Sequence, residues 1–181
     1  MGVIMAKITI SGHPGSGTST LVEGLVDLYN WNSLNGGQIF RNEAATRNMP
    51  LSEFGKMCSS DESIDRSLDE KLKGFISADE IEIIESRLAG WWGYKLGHDC
   101  IRVWLKVDEE ERARRVVDRE GGTFEEALIA NSKRLEIDSS RYKSMYGITP
   151  EDNEPYTHII DATEMNTEEV IQFVAAIIEG D

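Results

Sequence analysis

The stretch Gly12-His13-Pro14-Gly15-Ser16-Gly17-Thr18-Ser19-Thr20 carries the clearest chemical signal in the sequence. It has the spacing of a phosphate-binding turn, G-x-x-x-x-G-K-[ST], with one break: Thr18 stands where the lysine belongs. Glycines let such a turn aim several backbone N–H groups inward, through φ values that side chains disfavour. A following helix adds its free N–H groups and the positive end of its dipole. Ser19, at the Ser/Thr position, offers a hydroxyl to Mg²⁺. A glycine-rich turn that holds no ligand would show the same pattern.

Two further constellations bear charge. Glu85-Ser86-Arg87 closes the apolar run Ile81-Glu82-Ile83-Ile84. A carboxylate at a strand end can hold a Mg²⁺-bound water, and an arginine two residues on can reach a second phosphate. Later, Arg112, Arg115 and Arg119 recur at three and four residues, and so share one helix face. Arg134, Asp138 and Arg141 do the same. Such a set can clamp a polyphosphate and neutralise a transferred phosphoryl group. The same spacing would equally serve a solvated face laced with i,i+4 pairs. Arg41 carries no signal alone. His13, His98 and His158 show no metal spacing, and Trp91 and Trp92 read as packing anchors.

The elements that must position these residues follow from periodicity and punctuation. Residues 7–11, 31–34, 81–84, 101–107 and 157–161 read as strands. Helices are expected over 18–30, 38–47, 51–57, 61–75, 108–120, 123–146 and 166–178, with a turn and short helix within 88–97. Gly36-Gly37 reads as a break after the second strand. Capping-box spacings open three helices: Asp108 with Glu111, Thr123 with Glu126, and Asn166 with Glu169. Strands alternating with helices predict an α/β fold with a parallel sheet covered on both faces. Ligands in such sheets bind beyond the carboxyl ends of the strands. That places the 12–19 turn, Glu85 to Arg87 and the loop after Asp161 along one edge. Residues 36–76 form an all-helical insertion.

Composition narrows the function. The chain has 181 residues, 40% hydrophobic and 29% charged, as a single soluble domain would. Its net charge of −14 argues against nucleic acid or anionic membrane as a partner. With 19 Lys and Arg in so acidic a chain, phosphate binding requires that they be concentrated locally. Cys58 and Cys100 lack metal or disulfide spacing. No apolar run is long enough to span a bilayer. Met1 to Ala6 leads into the first strand rather than forming a signal peptide. Met1-Gly2 starts a myristoylation pattern that Ala6 breaks. A reducing cytoplasm fits these features.

Several stretches taken in order resemble the archaeal-type cytidylate kinases, a branch of the nucleoside monophosphate kinases in the P-loop NTPase superfamily. They are Ile8–Gly12 with Pro14–Thr18; Gly37–Arg41; Met49–Phe54; Ile64–Arg66 with Leu68-Asp69; Glu85–Trp91; Trp104–Lys106; Arg119–Gly121; and Arg141-Tyr142 with Tyr146–Ile148. Together they cover about residues 7–162. The resemblance implies a three-layer fold on a five-stranded parallel sheet, with a monophosphate-binding insert at 36–76 and a short lid at about 119–141. It implies transfer of the ATP γ-phosphoryl to CMP or dCMP with Mg²⁺, by a cytoplasmic monomer. By position, Gly12 to Thr20 would cradle ATP phosphates, and Ser19 and Glu85 would hold the metal. Arg41 and Arg87 would hold the monophosphate, near Gly37, Asp65 and Asp69. Arg87, Arg119, Arg134 and Arg141 would be the catalytic cations, and the family commonly carries Thr at the Thr18 position. Ser86 and His13 depart from the family's more usual Gly and Pro or Ser. Two other readings stand beside this one: a related phosphotransferase acting on AMP, UMP or a small metabolite, and a non-catalytic nucleotide-binding relative.

Overall fold

The computed structural model describes residues 6–78 and 80–180. The leader and acylation readings at Met1-Gly2 therefore lie outside the described residues. Five strands form one parallel sheet: β1 (Ile8–Gly12), β2 (Ser33–Asn35), β3 (Ile83–Glu85), β4 (Ile101–Lys106) and β5 (His158–Asp161), in the order β2-β3-β1-β4-β5. Because β1 lies centrally, its carboxyl end is flanked by those of β3 and β4. Ile10 pairs with Glu85 and Gly12 with Leu105.

The strand side chains alternate between two cores, as pleated backbone dictates. Ile8, Ile10, Ile83, Val103, Leu105 and Ile160 face α1 (Thr18–Tyr29) and α8 (Thr167–Glu179), where Leu21, Leu25, Val170 and Val174 meet them. Ile84 faces the other way, into a second core with Leu88, Trp91, Trp92, Tyr142 and Ile148. That core is closed by α4 (Glu62–Ser77), α5 (Ala89–Lys95) and the end of α7 (Phe124–Tyr146). Trp91 and Trp92 are buried anchors, and both cysteines are buried. The insertion, α2 (Gly36–Thr46), α3 (Leu51–Ser60) and α4, has its own small core of Ala44, Phe54, Cys58 and Ile64.

Three expected details differ. Gly36-Gly37 does not break the chain but forms the first turn of α2, because the Asn35 side chain accepts from Gln38 N at 2.7 Å and caps the helix. The second and third strands run Ser33–Asn35 and Ile83–Glu85, against the expected 31–34 and 81–84. The Asp108–Glu111 capping box is absent from α6 (Glu109–Glu120). Asp108 N–H donates instead to Thr163 Oγ1 at 3.1 Å, while Glu111 turns to Arg114 and Arg115. The boxes at Thr123 and Asn166 form as expected. Among the described residues no helix is long and apolar enough to cross a membrane.

Candidate active site

The turn between β1 and α1 is shaped from outside by arginines. Arg112 is 4% exposed, and its guanidinium donates to Val107 O at 3.2 Å and Pro14 O at 3.3 Å. Arg115 donates to Ser16 O at 3.1 Å, Ala162 O at 2.7 Å and Met165 O at 3.4 Å. These bonds correct the expectation of a free polyphosphate clamp. Arg112 and Arg115 are committed to backbone carbonyls of the turn and its neighbours. With those carbonyls drawn outward, the N–H groups of Gly15, Gly17, Thr18 and Ser19 have no acceptor among the described residues. Ser16 Oγ is buried and likewise unpaired. Gly15 and Gly17 adopt φ of 82° and 88°, and a Cβ at Gly15 would lie 2.8 Å from Arg112 O. Only glycine fits that approach. The result is a concave set of donors at a helix start, suited to an anion.

Glu85, at the carboxyl end of β3, faces this turn. Thr18 Oγ1 donates to Glu85 Oε1 at 2.8 Å. Burial pushes the Glu85 carboxyl above its ordinary range, and the Thr18 hydroxyl, the Arg87 charge and the Ser19 hydroxyl partly offset it. Thr18 at the lysine position thus places a short hydroxyl against the carboxylate. Among the described residues no cluster of three His, Cys, Asp or Glu side chains is arranged to hold a metal. One carboxylate with the Thr18 and Ser19 hydroxyls is nevertheless an all-oxygen set suited to Mg²⁺, which completes its shell with water and phosphate oxygens. His13 packs edge-on to Trp104 with ring centroids 4.9 Å apart, and its Nε2 lies 3.9 Å from Glu151. Burial, then the charges of Arg112 and Arg87, lower its pKa to about 4, so it is neutral near pH 7.

From Glu85 a chain of charged contacts crosses to the insertion. Arg87 donates Nη1 to Gly12 O and sets Nη2 3.4 Å from Asp138 Oδ2. The other Asp138 oxygen lies 3.6 Å from Arg141 Nη2, and Arg141 Nη1 lies 3.4 Å from Asp65 Oδ2. Asp69 accepts from the Tyr146 hydroxyl, and Arg66 Nη2 donates to Met145 O at 3.0 Å. Burial raises the carboxyl pKa of both Asp65 and Asp69. The Nε–H groups of Arg87 and Arg141 are buried and unpaired.

The structure therefore gathers Gly12 to Ser19, Glu85, Arg87, Arg141, Asp65 and Asp69 into one connected edge. Thr20 is exposed on the first turn of α1. Gly37 and Arg41 sit together on α2, where a Cβ at Gly37 would meet Arg41 Nη1 at 3.3 Å. Three of the expected arginines are not drawn into the connected edge. Arg41 and Arg134 are exposed without an ion pair among the described residues, and Arg119 pairs with its neighbour Glu120 on the surface. The contacts of Arg112, Arg115 and Asp138 differ from the polyphosphate clamp that their spacing suggests. Their helical spacing was visible, but their partners lie elsewhere in the chain: Asp138 meets Arg87 from 51 residues away, and Arg112 reaches Pro14 across 98.

Several known proteins resemble this chain in sequence or fold. A family model described as an AAA domain matches residues 8–137. A cytidylate kinase from Methanosarcina mazei is 37% identical over 175 residues, covering 96% of this chain and 97% of that protein. One from Methanosarcina acetivorans is 35% identical with the same coverage. A solved gluconokinase from Sinorhizobium meliloti superposes with a TM-score of 0.62 over 98% of this chain and 94% of its own, at 15% identity, which speaks to the fold alone. Sequence kinship over nearly the full length and a phosphate-binding turn on a five-stranded parallel sheet agree, and the chain belongs to the cytidylate kinase family.

Proposed function

We propose that this chain transfers the γ-phosphoryl group of ATP to CMP or dCMP, giving ADP and CDP or dCDP. The observation that carries the reading is Arg87, which touches the phosphate turn at Gly12 O and the α7 carboxylate Asp138 at once. In this reading Arg87 lies between the donor and the acceptor phosphates. Kinship with cytidylate kinases supports cytosine as the base.

In this reading the turn from Gly12 to Thr20 cradles the ATP phosphates through its free N–H groups. Glu85, with the Thr18 and Ser19 hydroxyls, would hold Mg²⁺, and the ion when bound supplies positive charge to the phosphate oxygens. Helices α2 to α4 form the acceptor insert. Gly37, Arg41 and Arg87 hold the monophosphate, while Asp65 and Asp69 orient the nucleoside. An acceptor phosphate oxygen bonds to the γ-phosphorus as the bond to the β-phosphate oxygen breaks. Arg87 and Arg141 neutralise charge on the group in flight, in place of a turn lysine. Arg119 lies in the last turn of α6 and Arg134 stands midway along α7, both in the proposed lid of about residues 119–141, and they join Arg87 and Arg141 only when that lid closes and excludes water. Little covalent chemistry falls to the protein, so positioning and charge supply the rate.

The test is ADP release from ATP and Mg²⁺ with CMP, dCMP, UMP, AMP or GMP as acceptor. CMP and dCMP are expected to give the highest kcat/KM. Flat traces with all five, in protein that still binds ATP, would remove the proposal.

A further inference from the structure

We propose that Asp138 is a positioning residue that stands in for phosphate: its carboxylate bridges Arg87 and Arg141, and an incoming phosphate group displaces it from both. The inference rests on the phosphotransfer reading above and adds a residue to it.

Asp138 is 15% exposed, and its two oxygens are divided between two cations, at 3.4 Å from Arg87 Nη2 and 3.6 Å from Arg141 Nη2. The two guanidiniums come from different elements, the loop after β3 and the last third of α7. Two like charges drawn toward one point repel unless an anion lies between them. Asp138 is that anion, and its place three residues before Arg141 on one helix fixes it there. A carboxylate offers the same fork of oxygens that a phosphate offers to a guanidinium. Neither arginine is saturated by it, because both Nε–H groups are buried without an acceptor. Each arginine thus retains a donor that Asp138 does not use. Arg141 is also held by Asp65 and Arg87 by Gly12 O, so both stay anchored when the bridging anion changes.

The sign of the effect follows from linkage. A contact made before substrate binds, and given up on binding, stabilises the free protein and counts against affinity. Removing the Asp138 charge should therefore weaken the fold and tighten the ligand. A residue with a merely structural role would lower stability and leave affinity equal or worse.

The experiment compares wild type with Asp138→Asn by thermal melting and by calorimetric Kd for CMP, with inorganic phosphate titrated in parallel. The Asn variant should melt lower yet bind CMP about 3- to 10-fold tighter, the scale of one partly screened ion pair. The gain should shrink as salt rises. Asp138→Glu, which keeps the charge, should restore affinity to near wild type. If the Asn variant aggregates, Asp138→Ser takes its place. A variant that melts lower while its Kd stays equal or rises overturns the inference. Absence of CMP turnover in wild type would count against the phosphotransfer reading instead, and the phosphate titration still decides the role of Asp138.

Discussion

Replacing Arg112 by Met separates a scaffold from a clamp. The side chain is 4% exposed and makes two bonds to carbonyls, at 3.2 Å to Val107 and 3.3 Å to Pro14. Hydrogen bonds from a charged donor contribute about 1.5–3 kcal/mol each, and these lie at the long end of the range, so the pair amounts to about 3 kcal/mol. Met fills much of the volume but leaves both carbonyls without that donor. For a chain of this size, about 3 kcal/mol corresponds to a Tm lower by about 6–12 °C. Freed from Arg112, Pro14 O no longer has to face outward, and the turn loses its fixed concavity. The KM for ATP should therefore rise at least about tenfold while the KM for CMP changes little. Differential scanning calorimetry and initial rates at varied ATP check both numbers. A variant with wild-type Tm and a lowered kcat alone would refute the scaffold and restore the clamp.

Arg87→Ala and Arg141→Ala should each cut turnover at least about 100-fold, the scale of transition-state charge stabilisation, as read by coupled ADP release. Glu85→Gln should lower Mg²⁺-dependent turnover by about 100-fold yet raise the Tm of the nucleotide-free protein at pH 7. The sign follows because burial raises the Glu85 pKa: folding favours the protonated acid, and stability falls as pH rises from the unfolded value through the folded one. His13 works in the opposite direction. Its folded pKa of about 4 lies below the unfolded value of 6.5, so its contribution is present above pH 6.5 and is lost as pH falls toward 4. The Tm difference between wild type and His13→Gln should therefore shift against wild type across that window, as melting at stepped pH will show.

Much of the fold was legible because local rules and tertiary demand agreed. The long helix α7 begins and ends where it was read, since Thr123 and Glu126 cap each other and Gly147 closes the helix at φ 66°. Agreement fails where a distant residue competes. At Asp108 the N–H is taken by Thr163, which lies 55 residues on, and the local box never forms. At Gly36-Gly37 the Asn35 cap overrode two residues that read as a break. In the candidate site, the placement of the turn, Glu85 and Arg87 along one sheet edge was readable, because each follows directly from the end of a strand. The roles of Arg112, Arg115 and Asp138 were not, because they depend on which carbonyls and cations the fold brings opposite them. Arg119 and Arg134 show the converse: helical spacing marked them, and they stand on the surface rather than in the connected edge.

Arginines beside the turn are expected to carry phosphoryl transfer to a cytosine nucleotide without a turn lysine. The most direct measurement follows ³²P from the γ-position of ATP in the presence of CMP and Mg²⁺, with wild type and Arg87→Ala side by side. Label should appear in CDP with wild type, and should fall at least about 100-fold with the variant while ATP binding persists. Label found in inorganic phosphate alone would show that CMP is not the acceptor, and equal transfer by both proteins would show that Arg87 does not carry the transfer.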